Sequence, residues 1–192
     1  MDIDLSKIKL IAGLGNIGDR YAKTRHNTGF LFVDRLVEEL EARSGNKISW
    51  SEDSKKGVIH TSVPHPTDPN SKLYIIKPTT YMNLSGRAVS AMMSYYQLSL
   101  DELLVVHDDL DILLGDYKLQ LDKGPKSHNG ILSVNEHLGT SNYWRVRIGV
   151  EYRGESGKDM MSGEDYALEN FSKNEREKLD SVFGDVIQSL LG

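Results

Sequence analysis

The sequence predicts an α/β fold: one domain over residues 1–192, built in three layers, with a mixed twisted β-sheet flanked by helices. Three observations predict it. Short β-rich runs alternate along the chain with stretches of helical period, the pattern of layered α/β domains. Two of those runs, Ile8 to Ala12 and Leu103 to Val106, are continuously apolar, as strands buried on both faces are. The early runs follow one another at hairpin spacing, which makes the sheet mixed rather than purely parallel. No internal repeat or linker interrupts the pattern, and 192 residues with 39% hydrophobic content suffice for one full core.

The elements follow in order. Ile8 to Ala12 reads as the first strand. Phe30 to Leu40 reads as an amphipathic helix, because Phe30, Val33, Val37 and Leu40 share one face of a 3.6-residue period. Lys47 to Trp50, Gly57 to Val63 and Leu73 to Ile76 read as short strands. Prolines at 64, 66 and 69 mark residues 64–70 as a surface hairpin connection without regular structure. Tyr81 to Tyr96 reads as a helix with Ala88, Met92, Tyr95 and Tyr96 on its core side. Leu103 to Val106 reads as a buried strand that ends at His107-Asp108-Asp109. Tyr117 to Leu121 alternates as a strand, Lys123 to Asn129 forms a basic loop, Ile131 to Leu138 a helix and Trp144 to Tyr152 a strand. Gly154 to Asp165 lacks periodicity and reads as a mobile loop. The last helix is signalled by Ser172 and Glu175 at capping-box spacing, ahead of an apolar face of Leu179, Val182, Phe183, Val186, Ile187 and Leu190.

Composition narrows the function classes. The net charge is −5, which argues against broad binding of nucleic acid through many phosphates; such a partner needs a local basic patch. There is no cysteine, so disulfides and thiol catalysis are excluded, and a cytoplasmic location is expected. No run of about 18 apolar residues is present, so no membrane partner is expected. The acidic start Met1-Asp2-Ile3-Asp4 lacks a signal-peptide pattern.

The chemistry concentrates in Gly13 to Gly29, which follows the first strand and leads into the first helix. Gly13-x-Gly15-x-x-Gly18 matches a dinucleotide fingerprint, but that motif needs a helix opening at its third glycine, and a polar loop follows here. A plain tight turn is the other reading. It leaves Asn16, Arg25, His26 and Asn27 unexplained. A histidine suits a general base near neutral pH if an acceptor orients its ring. Asp108, at the end of the second apolar strand, is the candidate for that partner. His107-Asp108-Asp109-Leu110-Asp111 could instead hold a divalent ion, or form an acidic strand-end turn. No Gly-x-Ser-x-Gly elbow exists, and Ser85 reads as a polar helix residue, so a histidine–aspartate pair would activate water. Asn16, Asn83 and Asn129 are candidate oxyanion donors.

Four ordered blocks carry a resemblance. Gly13-Leu14-Gly15-Asn16-Ile17-Gly18, then Tyr21 and Thr24-Arg25-His26-Asn27-Thr28-Gly29-Phe30, is similar to the start of bacterial-type peptidyl-tRNA hydrolases, which have proline where Ile17 stands. Lys77 to Gly86, His107 to Asp111 and Ser127 to Gly130 look like the next three signatures. The resemblance implies hydrolysis of the ester joining a peptide to the 3′ end of tRNA, without metal or cofactor, by a monomer. It implies His26 as general base, Asp108 as its supporting carboxylate, and Asn16 as the residue separating blocked from free aminoacyl-tRNA. Asn83 and Asn129 would be substrate-binding amides, Tyr21 and Tyr81 tRNA-contacting aromatics, and Met82 a pocket wall. Lys118 and Arg145 resemble part of a clamp on the tRNA 5′ phosphate. A basic position of that clamp is Gln120 here, and Lys123 or Lys126 could replace it. Pro125 stiffens a loop that is glycine-rich in the family. A non-catalytic RNA-binding relative and a dinucleotide-dependent oxidoreductase remain as alternatives.

Overall fold

The computed structural model describes residues 3–125 and 127–192. Its centre is β1 (Leu10–Gly13), whose four residues are all buried. β1 is parallel to β4 (Asp68–Pro78) on one side and to β5 (Leu103–Leu113) on the other. Burial on both faces is why this stretch is apolar without alternation. β2 (Ser51–Asp53), β3 (Val58–His65) and β4 form an antiparallel meander on one flank. β7 (Trp144–Glu151) runs parallel to β5, and β6 (Tyr117–Leu121) closes the other edge antiparallel to β7. The order across the seven strands is β2-β3-β4-β1-β5-β7-β6, a mixed sheet.

Helices cover both faces. α1 (Thr28–Ser44) and α6 (Lys173–Leu191) bury Phe32, Leu36, Phe183 and Val186 with Ile11, Ile75, Val106 and Val146 of the sheet. Phe32 and Phe183 meet edge-on at 5.5 Å, a geometry that adds roughly 0.5–1.5 kcal/mol beyond area burial. α2 (Ser85–Tyr96) and α3 (Asn129–Leu138) bury Val89, Met92, Ile131 and Val134 against Leu10, Ala12, Val105 and Tyr143 on the opposite face. α4 (Gly154–Met160) and α5 (Gly163–Ala167) lie between β7 and α6. Ser172 and Glu175 make the reciprocal cap at the start of α6.

Gly29 makes the close packing of α1 possible. A Cβ there would lie 2.3 Å from the Leu14 nitrogen and 2.4 Å from the Val106 oxygen. The first turn of α1 therefore rests directly on the backbone where β1 ends beside β5. β1 stops at Gly13, paired with Val106, whereas β5 continues through His107, Asp108 and Asp109. That mismatch opens a crevice beyond the carboxyl end of β1, at the point where the chain turns to opposite sides of the sheet. Such crevices hold the ligands of open α/β sheets.

Several expectations are corrected. Residues 64–70 are almost wholly strand, and only Pro66 and Thr67 lie between β3 and β4. β2 covers β3 only at Val58 to His60, so Pro64 sits on an open edge, where a missing N–H is tolerated, beside a register shift. The strand expected at Lys47 to Trp50 starts instead at Ser51. Asp111 lies within β5 rather than in a turn. Tyr95 is exposed, off the core side of α2. Gly154 to Asp165 contains α4 and the start of α5 rather than an irregular loop, with the Ser162 side chain capping α5. Their mostly exposed residues explain the missing apolar period.

Candidate active site

After β1 the chain turns through Gly18, whose φ of 110° suits glycine. It then forms two single-turn 3₁₀ segments, Asp19–Tyr21 and Arg25–Asn27, before α1 begins at Thr28. Only a single 3₁₀ turn, and no α-helix, opens at Gly18, so the fingerprint lacks the amino-terminal dipole that would hold a pyrophosphate. Asn27 locks the turn by accepting from the Asn16 N–H at 2.8 Å and donating to the Asn16 carbonyl at 2.9 Å. Arg25, 4% exposed, anchors the same segment from behind. It donates to Glu175 at 2.7 Å and to the Tyr166 carbonyl at 3.2 Å, and its guanidinium lies 3.8 Å from the Tyr166 ring centre.

Between these anchors, His26 places Nδ1 3.0 Å from Oδ1 of Asp108, 82 residues away in sequence. His128, the residue before α3, places Nε2 3.0 Å from the same oxygen. The tautomers follow from the partners. His128 Nδ1 accepts the N–H groups of Gly130 and Ile131 at 3.1 and 3.2 Å, so its proton is on Nε2 and donates to Asp108. His26 donates through Nδ1 to the carboxylate, which leaves Nε2 as the basic atom.

The electrostatics match this arrangement. Burial opposes charge on His26, but the Asp108 carboxylate outweighs it by charge and hydrogen bond, with Glu164 of α5 adding, so the imidazole pKa is raised. Burial also opposes charge on Asp108, and His26 and His128 together overcome it, holding the carboxyl well below its usual range. His107 is fully buried, and burial followed by its neighbour His128 pushes its pKa well down. It donates from Nδ1 to the Asp108 carbonyl at 2.6 Å, and Nε2 has no partner among the described residues.

His26 and Asp108 open into a cleft of about 590 Å³. Asn16, Tyr21, Tyr81, Met82, Asn83 and Asn129 line it, so eight of the ten residues singled out from sequence share one cavity. Asn83, Asn129 and Tyr81 are exposed there. The Asn16 oxygen accepts the Met82 N–H at 2.8 Å, which leaves its amide NH₂ as the group free for a ligand. Ser85 is buried with its hydroxyl directed at the Met82 sulfur, away from a nucleophilic role.

Lys118 and Arg145 do not line the cleft. Lys118 is exposed on β6. Arg145 is 2% exposed and donates to the Ser141 carbonyl at 2.8 Å and to Asn135 at 3.2 Å. Gln120 accepts from Arg147, which pairs with Asp109 at 2.7 Å. Lys123 is exposed, and Lys126 lies outside the described residues.

Sequence reasoning missed His128 and the wall formed by Leu110, Glu164, Ala167 and Leu168. His128 had a signal, since it stands before a glycine and a helix start beside the candidate Asn129. The wall had none, because Leu110 lies in β5 beyond its continuously apolar run and the others belong to or flank a short helix without period. The carboxylates of the His107 to Asp111 run do not converge. Among the described residues, the one group with metal-ligand proximity is His26, Asp108 and His128, whose facing atoms are already joined by hydrogen bonds.

The profile of the family described as peptidyl-tRNA hydrolase matches residues 10–191. The peptidyl-tRNA hydrolase of Neisseria meningitidis serogroup A is 37% identical over 183 residues, covering 95% of this chain and 88% of the relative. That of Rickettsia bellii is 40% identical over 166 residues, covering 86% and 82%. The crystal structure of peptidyl-tRNA hydrolase from Acinetobacter baumannii superposes with a TM-score of 0.82 at 29% identity, covering 99% of this chain and 89% of that one. The chain belongs to the peptidyl-tRNA hydrolase family.

Proposed function

We propose that this enzyme hydrolyses the ester between a peptide, or an N-blocked amino acid, and the 3′ end of tRNA, with His26 as the base that activates water. The observation that carries the reading is the 3.0 Å contact of His26 Nδ1 with a buried carboxylate at the floor of a cleft lined by carboxamides. It fixes the proton on Nδ1 and leaves Nε2 to take one from water as the water oxygen attacks the ester carbonyl. The tetrahedral oxyanion is met by amide N–H groups of Asn16, Asn83 or Asn129. Collapse expels the ribose 3′ oxygen, which takes the proton back from His26. The products are tRNA with a free 3′ hydroxyl and a peptide acid.

Asn16 works as a donor in this scheme. With its oxygen held by the Met82 N–H, the free NH₂ suits a carbonyl oxygen. A blocked amine brings such an oxygen on its acyl group. A free amine, partly charged near neutrality, offers only N–H groups and is disfavoured. Tyr21 and Tyr81 at the rim suit the unpaired bases of the tRNA end, where aromatic stacking tolerates any sequence.

The test is release of the blocked amino acid from N-acetyl-aminoacyl-tRNA by the parent and by His26→Ala, each with a chelator. The parent should turn over with chelator present, and His26→Ala should lose about 10²–10⁴-fold in kcat. Near-parent turnover by His26→Ala defeats the mechanism, and tight tRNA binding by a parent that never turns over defeats the activity.

A further inference from the structure

Asp108 Oδ1 serves two imidazoles at once, and the second is held more rigidly than the first. His128 is 6% exposed, and two backbone N–H groups at the start of α3 fix its tautomer. Its only remaining donor, Nε2–H, can go to Asp108 Oδ1 at 3.0 Å, the distance His26 Nδ1 also shows. The two rings are 4.7 Å apart, and His107 backs His128 at 5.0 Å. A carboxylate oxygen that accepts a second hydrogen bond has its charge stabilised from elsewhere and attracts the proton of the first donor less.

We propose that His128 is a positioning residue that tunes the catalytic base: it pins the Asp108 carboxylate in register with His26 and draws on the same oxygen, keeping His26 a weaker base than an isolated histidine–aspartate pair would be. The inference rests on the reading of His26 as general base. It gives the residue before α3 a role in the reaction besides capping a helix. The groups facing His26 are Asp108 of β5, His128, Glu164 of α5, and the rim residues Tyr21 and Tyr81. Of these, His128 alone shares the oxygen bound by His26 Nδ1.

The two roles of His128 separate by substitution. Asparagine and serine are good N-caps, so His128→Asn and His128→Ser keep an acceptor for the α3 N–H groups while removing the ring donor. The measurement is kcat/KM on N-acetyl-aminoacyl-tRNA against pH, paired with an NMR titration of the His26 ring in the free enzyme. Both variants should move the acid limb and the His26 titration to higher pH, with about threefold or greater loss of kcat/KM on the acid side, equivalent to roughly half a pH unit. Thermal melts near the parent's would show the cap retained. A limb and titration that coincide with the parent's in a folded variant overturn the proposal. So does a uniform loss of kcat at every pH with the titration unmoved. His26→Ala in the same assay keeps the two ideas apart, since its retained activity would remove the base itself, whatever His128 does.

Discussion

Replacing Asp108 by asparagine isolates the charge of the buried carboxylate from its shape. The side chain keeps its size, and His128, whose tautomer is set by backbone N–H groups, still presents Nε2–H. The asparagine oxygen is therefore drawn to the position of Oδ1, where His26 can keep its Nδ1–H tautomer. What disappears is the negative charge. With 3.0 Å between Nδ1 and Oδ1 and the imidazolium charge spread over the ring, the effective separation is about 4 Å. At an effective dielectric of about 20 the pair is worth about 4 kcal/mol, some three decades in rate for a step that builds charge on His26. The pH sign follows. In the parent the base works unprotonated and its pKa is raised, so kcat/KM rises with pH with a midpoint above the ordinary imidazole value. In Asp108→Asn the main raising charge is gone while burial, the largest influence, stays opposed only by the lesser pull of Glu164, so the limb moves below that value and the plateau falls about 10³-fold. Initial rates on N-acetyl-aminoacyl-tRNA from pH 5 to 9 measure both. A variant within tenfold of the parent on an unmoved limb would refute the role given to Asp108.

Asn16→Asp keeps an oxygen for the Met82 N–H but turns the free NH₂ into a charged oxygen; turnover of N-acetyl-aminoacyl-tRNA should fall at least about 10²-fold, and its advantage over free aminoacyl-tRNA should narrow, read from paired initial rates. Gly29→Ala sets a methyl against the Leu14 and Val106 backbone, which cannot swing aside, and should cost about 1–3 kcal/mol or more in urea unfolding. Lys118→Ala should lower the salt dependence of tRNA affinity by about one phosphate contact, whereas Arg145→Ala, buried among Ser141, Asn135 and Tyr143, should chiefly lower stability. Titrating affinity against salt, beside a thermal melt, separates those two outcomes.

Much of this was legible in sequence for one physical reason. Burial on both faces makes a strand continuously apolar, and burial on one face gives a helix its period, so β1, the start of β5, α1 and α6 were read directly. Where burial does not govern the sequence, reading failed. Pro64 is allowed in β3 by an open sheet edge, a property of neighbours and not of the residue. β5 runs past Val106 because His107, Asp108 and Asp109 find partners there, and polar residues with partners look like a strand end until the partners are seen. The cleft residues stood out because polar side chains crowded beside glycines need a reason. Asn16 stood out as a candidate donor, but the contact that turns its NH₂ toward the cleft, the Met82 N–H on its oxygen, comes from 66 residues away. Arg145 was legible as a cation but not as a buried one.

The carboxylate of Glu175 caps α6 through Ser172 and also grips Arg25, the residue before His26. Every cleft-lining side chain lies between Asn16 and Leu168, so the nascent polypeptide carries its full set before the helix that steadies them has been translated. On the proposed mechanism, competence should therefore wait until α6 has been made. A truncated chain ending at Phe171 should possess all the chemistry and none of the activity, and adding α6 as a separate peptide should restore some of it.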